Sequence, residues 1–175
     1  MNSRNIYSEV SADGTQLLLR HTESDTVIET LPLIRALPEH KAYIISTWVK
    51  SYAGLNRKQR TVLNGSAATV RSEDFTTGEA QIAERLWEKT YVVSGKEDTF
   101  TVNGWLCGEK GRVYHAYIPP DLRRMGIFAS LCRQVAGPTF HSRLLWPYNK
   151  VEGLWMHYNP YCWLPEVRPV AEQSP

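Results

Sequence analysis

Apolar and polar residues alternate over the first thirty residues with the period of two that is typical of β-strands. The alternation predicts strands at 6–10 and 16–20, and Asp13-Gly14 between them is a hairpin turn signal. A third short strand is predicted at 26–29. Residues 1–30 are therefore expected to form a β-hairpin extension that precedes the main fold.

Residues 31–170 mix the strand period with the helical period of 3.6. Pro38 at a first helical position, and Thr76 and Glu79 in capping-box spacing, indicate two helix starts. The predicted elements, in chain order, are a strand at 33–37, a helix from 38 that ends at Gly54, a helix from Thr76 that closes at Ser94-Gly95, strands at 100–107 and 112–118, a helix at 126–136, a strand at 140–146 and a helix at 149–158. This order predicts one α+β or mixed α/β domain, with a short tail at 171–175.

The composition of the chain excludes several classes of protein. The chain has 175 residues, 42% of them hydrophobic and 22% charged, which is ordinary for a folded domain and excludes disordered, collagen-like and coiled-coil chains. The N-terminus lacks a signal segment and no apolar run is long enough to span a membrane, so a cytoplasmic protein is expected. The balance of 20 basic and 18 acidic residues does not favour a nucleic-acid partner. Three widely spaced cysteines predict reduced thiols and no metal site.

The segment 114–131 contains the residues with the clearest chemistry. A strand ends at Ile118, a proline turn follows, and Gly126 precedes a predicted helix, whose N-terminal amides would attract an anion. A glycine there lets a phosphate approach the backbone, and Arg123 and Arg124 add positive potential. The further glycines of the dinucleotide fingerprint and the Gly-Lys-Ser/Thr of the P-loop are both missing.

This segment resembles the signature of the GNAT superfamily of acyl-CoA-dependent N-acyltransferases. That signature is Arg or Gln, two residues, Gly, one residue, then Gly or Ala, behind a strand that ends in a Val/Ile-x-Pro-like turn. Arg123, Gly126 and the turn after Ile118 match it, whereas the last position holds Phe128, with Ala129 one place later. The stretches 34–40 and 47–52 are also similar to short phage-encoded members, and the element order is similar from 33 to 163.

The resemblance implies a GNAT-like central mixed sheet flanked by helices, and N-acetyltransferase activity with acetyl-CoA or another acyl-CoA. It implies that the backbone amides of 124–129 hold the pyrophosphate and that the strand ending at Ile118 pairs with the pantetheine arm. The cofactor-binding residues expected in this way are Ile118, Arg123, Arg124, Met125, Gly126, Ile127, Phe128 and Ala129.

In the reaction that the family performs, a neutral amine attacks the thioester, which requires a base and an acid near the departing thiolate. The resemblance gives the acid role to Tyr158, and His115 on the central strand is the candidate base. The strand carboxylate of some family members has no counterpart here. Simple packing in the core is the alternative explanation for both residues. The acceptor amine, on a small molecule or a protein, is left open.

A different class of function remains open beside the enzyme. A GNAT-fold protein that no longer catalyses, serving as a structural or interaction module such as a phage-particle component, is favoured by Phe128, by the missing carboxylate and by the aromatic C-terminus. It would reside in the host cytoplasm or the virion. A C-terminal aromatic cluster is expected to close the acceptor side of a pocket, to pack, or to bind a second copy or another protein; its members are Trp146, Tyr148, Trp155, Tyr158, Tyr161 and Trp163. An acyl-CoA enzyme that acts on a DNA base is a third alternative.

Overall fold

The computed structural model describes residues 5–52, 71–109, 111–135, 140–141 and 157–158. Within these residues eight strands form one sheet in sequence order: β1 (Ile6–Val10), β2 (Gln16–His21), β3 (Val27–Arg35), β4 (Thr90–Ser94), β5 (Val102–Glu109), β6 (Arg112–Tyr117), β7 (Phe140–His141) and β8 (His157–Tyr158). Strands β1 to β6 are antiparallel, whereas β6–β7 and β7–β8 are parallel. The described α-helices are α1 (Lys41–Lys50), α2 (Ser72–Leu86) and α3 (Ile127–Gln134). The predicted mixed α+β class is confirmed.

The N-terminal hairpin continues the main sheet. Its predicted turn at Asp13-Gly14 is confirmed, with Gly14 in the left-handed region at φ +75°. Strand β3 joins the hairpin to the rest of the sheet, because Leu31 pairs with β2 and Leu33 pairs with β4. The nine residues of β3 form one strand where the sequence pattern predicts two, at 26–29 and 33–37.

Apolar side chains form a separate core on each face of the sheet. Helix α3 covers one face, where its Ile127 and Leu131 pack with buried residues of the hairpin such as Leu17. Helices α1 and α2 cover the other face, where Trp48 and Trp105 are among the largest buried side chains. The hairpin therefore shares one core with α3.

The predicted bounds of the second helix are wrong at both ends. Helix α2 begins at Ser72, and Thr76 lies inside it, where its hydroxyl donates to the carbonyl of Ser72 at 3.0 Å instead of capping the helix. The predicted end at Ser94-Gly95 is also wrong, because Thr90–Ser94 forms strand β4. Val92 and Val93 are both fully buried, since helices cover both faces of this strand. A strand buried on both faces lacks the alternation that identifies strands in a sequence.

The C-terminal helix predicted at 149–158 is wrong at its end, because His157–Tyr158 pairs with β7 as strand β8. The strand predicted at 140–146 is confirmed in its first two residues. Several predicted features lie outside the described residues, namely the helix end at Gly54 and everything predicted for 142–156. The aromatic cluster also lies outside them, apart from the backbone of Tyr158. No helix in the described ranges is long and apolar enough to cross a membrane.

Candidate functional site

The connection from β6 to α3 carries most of the residues that the signature predicts. A short 3-10 turn at Pro120–Leu122 leads to Arg123, whose Nε donates to the carbonyl oxygen of Ile118 at 3.0 Å. This hydrogen bond ties Arg123 back to the end of the strand. The carbonyl oxygen of Ile118, at the end of the strand expected to pair with a pantetheine arm, therefore already accepts one hydrogen bond. It has one more lone pair, with which it could accept a second hydrogen bond.

Two left-handed residues shape the loop just before α3. Arg124 has φ +71° and Gly126, the N-cap of α3, has φ +76°. Met125 between them is buried and anchors the loop to the core. Turns that place such residues before a helix can direct successive backbone N–H groups into one concavity, which suits an anion. The loop thus leads directly into the positive end of the helix dipole.

The charge around this loop is positive. Arg123 and Arg124 are both exposed, and the first turn of α3 contains no acidic residue. The exposed carboxylate of Asp121 in the preceding 3-10 turn is the acidic group nearest in sequence. Because first-turn amides have no acceptor within their own helix, a negatively charged group would be stabilised there.

The N-terminal strand closes one side of the same loop. A Cβ atom built on Gly126 would lie 3.3 Å from the hydroxyl and 3.5 Å from the backbone nitrogen of Ser8. Ser8 is itself buried in β1. Sequence reasoning missed this contact, and its one signal was a serine at an inward position of an alternating strand, where an apolar residue is usual.

The side chains of the remaining loop residues face inward to different degrees. Ile127 is fully buried, whereas Phe128 and Ala129 are partly exposed, and Phe128 packs against the core under α3. These side chains hold the helix on the sheet. Any binding of a pyrophosphate would therefore use the backbone of this segment together with the arginines.

His115 lies at a bulge in β6. Cys107 pairs with His115 and Gly108 pairs with Val113, so Tyr114 is an extra residue on this strand. Bulges re-aim side chains and are common beside functional sites. The effect here is that Tyr114 joins the α1–α2 core and the His115 ring contacts Trp48 of the same core.

The two ring nitrogens of His115 have different partners. Nδ1 lies 3.0 Å from the carbonyl oxygen of Ala116, and Nε2 lies 2.9 Å from the hydroxyl of Ser51, which follows α1. His115 is fully buried, whereas Ser51 is partly exposed. A base role for His115 would therefore act through Ser51, because the imidazole itself is covered. The sequence did not point to Ser51, since nothing in its neighbourhood relates it to β6.

Aromatic rings surround the imidazole of His115. The ring centroids of Trp48, Trp105 and Tyr52 lie 4.6, 5.3 and 5.4 Å away. The indole nitrogen of Trp105 donates to the hydroxyl of Thr47 at 3.0 Å, which fixes the orientation of that ring. The surroundings of His115 are thus largely apolar and rigidly packed.

Tyr158 lies in β8 rather than on a helix, in register with His141 of β7, which in turn is in register with Val113 of β6. Val113 is five residues before Ile118, a distance of about 16 Å along a strand. Tyr158 is therefore aligned with the first half of β6, near the register of His115, and the loop before α3 lies at the other end of the strand. The described pairing of β6 with β7 involves only Arg112 and Val113.

No protein-family model matches the chain, and the comparisons with curated proteins and with solved structures found no match. In the part of the chain that the structure describes, no group of three or more His, Cys, Asp and Glu side chains could hold a metal ion. The class supported on this basis is a mixed α+β domain with a glycine-containing strand–turn–helix loop at one end of a central strand and a buried histidine further back along it.

Proposed function

We propose that the protein is an acyltransferase that moves an acetyl or other acyl group from an acyl-CoA to an amine. The observation that carries this proposal is the pair of left-handed residues, Arg124 and Gly126, at the start of α3 in the connection that follows strand β6. This arrangement suits a phosphate group that approaches the backbone, and it lies in the segment that resembles the GNAT signature.

The loop residues fit the pyrophosphate of a CoA. The backbone of 124–129 would hold it, and the exposed guanidinium of Arg124 would add a charge-assisted contact. A bound acyl-CoA supplies an acyl group activated as a thioester. The remaining task of the protein is to place an acceptor amine beside that group and to accept a proton from it.

His115 and Ser51 are the groups of this chain that could accept the proton. The hydroxyl of Ser51 would relay it to Nε2 of His115, which lies 2.9 Å away. The surrounding Trp48 and Trp105 would exclude water from the imidazole. Protonation of the leaving sulfur by Tyr158 stays a prediction, which its alignment with the first half of β6 supports.

Thermal unfolding with acetyl-CoA and with free CoA tests the binding part of the proposal. A ligand present at 100 times its Kd stabilises a protein by about 2.7 kcal/mol, which raises the midpoint measurably. The Arg124→Glu variant should lose this shift, because it reverses an exposed charge at the loop. Arg133→Glu is the matched control, since Arg133 is exposed in the last turn of the same helix and should keep the shift.

Release of free CoA thiol in the presence of primary amines tests the transfer itself.

Gly126→Glu is less suitable than Arg124→Glu as a variant for the binding test, because the φ of +76° and the contact with Ser8 would disturb the fold as well. An unshifted midpoint at millimolar acetyl-CoA and millimolar CoA would contradict the proposal.

The second candidate function is a non-catalytic interaction protein of the same fold. The observation that favours it is the packing of Ser8 against Gly126, because one side of the loop is filled by the chain itself. Under this alternative neither CoA compound changes the midpoint, and light scattering on the purified protein should instead detect self-association.

A further inference from the structure

Ser51 and His115 form a hydrogen-bonded pair of a kind that can activate a hydroxyl group. The Ser51 Oγ lies 2.9 Å from His115 Nε2, within the distance expected between a nucleophile and its base. The other ring nitrogen, Nδ1, lies 3.0 Å from the carbonyl oxygen of Ala116. The arrangement therefore has a hydroxyl, an imidazole and a third group that orients the imidazole.

The bond to Ala116 determines which nitrogen of a neutral His115 carries the proton. A carbonyl oxygen can only accept, so Nδ1 must donate, and the lone pair of Nε2 is then directed at Ser51. The hydroxyl of Ser51 has a second acceptor in the carbonyl of Trp48, at 2.6 Å. Because both acceptors are within reach of the same oxygen atom, a rotation about the Cβ–Oγ bond is enough to give the proton to Nε2.

Burial of His115 disfavours the imidazolium that forms when it takes this proton, and two features of the surroundings oppose that cost. The rings of Trp48, Trp105 and Tyr52 are all within 5.4 Å of the imidazole, and aromatic faces attract cations. Ser51 is the C-cap of α1, and the C-terminal end of a helix also stabilises positive charge. Ser51 is partly exposed whereas His115 is fully buried, so Ser51 is the member of the pair that lies nearer to solvent.

We propose that Ser51 is a nucleophile activated by His115, and that it becomes acylated by activated esters or thioesters. Ser51 Oγ attacks the carbonyl carbon while its proton passes to Nε2. The bond from that carbon to the leaving oxygen or sulfur then breaks, and the leaving group takes the proton from Nε2. An acyl ester on Ser51 and a neutral His115 remain, and an amine or water can later accept the acyl group with the same proton transfers in reverse.

The test treats the full-length protein with p-nitrophenyl acetate, following the release of p-nitrophenolate and the intact mass, and then maps the acetylated peptide. We expect a rapid phase of release equal to one acetyl group per chain, with the acetyl group on Ser51. In Ser51→Ala the rapid phase and this modification should both disappear. Ser24→Ala is the control, because Ser24 is an exposed hydroxyl without a histidine partner, and it should behave as the unaltered chain does.

The role of His115 has its own measurement. In His115→Gln acetylation of Ser51 should slow at least about a hundredfold, because the general base is removed, provided that near-ultraviolet circular dichroism shows the packing of Trp48 and Trp105 intact. If that variant does not fold, mapping of the acetyl group on the unaltered chain still decides whether Ser51 is the nucleophile. Acetyl groups found only on lysines or cysteines, or an unchanged rapid phase in Ser51→Ala, would overturn the proposal.

This inference replaces the relay role of Ser51 in a direct transfer by a transfer in two steps through Ser51, and it does not need CoA to bind at the loop before α3. A chain that is acetylated on Ser51 by the ester but shows no thermal shift with CoA would support the inference and contradict the proposed acyl donor. A thermal shift with CoA but no acetylation of Ser51 would support the proposed acyl donor and contradict this inference.

Discussion

Ser8 and Ser130 are 122 residues apart in the chain and are joined by two hydrogen bonds. Their hydroxyl oxygens are 3.0 Å apart, and the hydroxyl of Ser130 donates to the carbonyl oxygen of Ser8 at 2.9 Å. Since that proton is used, the hydroxyl of Ser8 donates to the oxygen of Ser130. The pair attaches the first strand of the sheet to α3, beside the loop that begins that helix.

Removal of this pair should weaken the attachment of the hairpin. Ser130→Ala leaves two buried polar atoms of Ser8 without their partner, which costs about 1–3 kcal/mol of unfolding free energy. The midpoint of urea unfolding measures the loss. Ser24→Ala, in an exposed loop, should change the free energy of unfolding by less than about 0.5 kcal/mol. Equal midpoints for the two variants would show that the pair adds nothing to stability.

The hairpin should be essential to the domain rather than a detachable addition. Leu17 of β2 is fully buried in the core that α3 covers. Leu17→Ala should therefore cost about 2–5 kcal/mol, as truncations in a packed core do. A matched exposed position on the same hairpin is Gln16, where Gln16→Ala should be nearly neutral. Native-state hydrogen exchange of α3 would rise together with that of β1 and β2 in Leu17→Ala, and exchange confined to the hairpin would contradict this prediction.

The turn of the hairpin should make stability depend on acid pH. Hydrogen bonds from the hydroxyls of Ser11 and Thr15 and from the Thr15 amide lower the pKa of Asp13 from 3.8 to about 2. The unfolded chain then binds more protons than the folded chain between these values, so this contribution is complete above pH 4 and is lost as the pH falls towards 2. Carbon-13 titration of the Asp13 carboxylate measures its pKa directly.

Asp13→Asn is the matched variant for this effect. The amide can still accept from Thr15, but it has no proton equilibrium in this range. The difference in unfolding midpoint between the two chains should shrink as the pH falls from 4 to 2. A difference that stays constant over this range would show that the carboxylate is not tied into the turn.

Two of the cysteines should be inert in the folded protein. Burial raises the pKa of the thiols of Cys107 and Cys132 to about 12. Neither should react with iodoacetamide at pH 8 until urea unfolds the chain, because the thiolate is the reactive form. In the unfolded chain these thiols ionise near their ordinary pKa of 9, so stability should fall as the pH rises from 9 towards 12. Peptide mapping after labelling distinguishes them from Cys162, and rapid labelling of either buried thiol would contradict the prediction.

The sequence predicted the parts of this molecule that depend on local chemistry. Asp13-Gly14 specified the first turn, and the turn after Ile118 together with Gly126 located the loop before α3. Strand β4 was missed because burial of Val92 and Val93 on opposite faces removes the alternation of a strand. Local pattern also misplaced the end of the helix predicted at 149–158, because His157 and Tyr158 pair with β7 and such pairing is decided by tertiary contacts.

The contacts that bring distant segments together had no local signal. Ser51 meets His115 across the space between α1 and β6, and Ser8 meets Gly126 because the hairpin lies against α3. A sequence pattern reports the face on which a side chain lies, but the partner on that face depends on how the elements pack.

Substitution of the two left-handed residues in the loop before α3 should change the stability of the protein in opposite directions. Gly126→Ala should destabilise the protein by about 1–2 kcal/mol or more, because a Cβ is disfavoured at φ +76° and would also meet Ser8 at 3.3 Å. Arg124→Gly should instead stabilise it by up to about 1 kcal/mol, since glycine adopts the φ of +71° without strain. Urea midpoints of both variants measure these changes.

Acetyl-CoA titration of Arg124→Gly separates the backbone strain at Arg124 from its charge, because the stability of this variant should rise while any affinity for the pyrophosphate falls. A variant that loses stability would contradict this prediction.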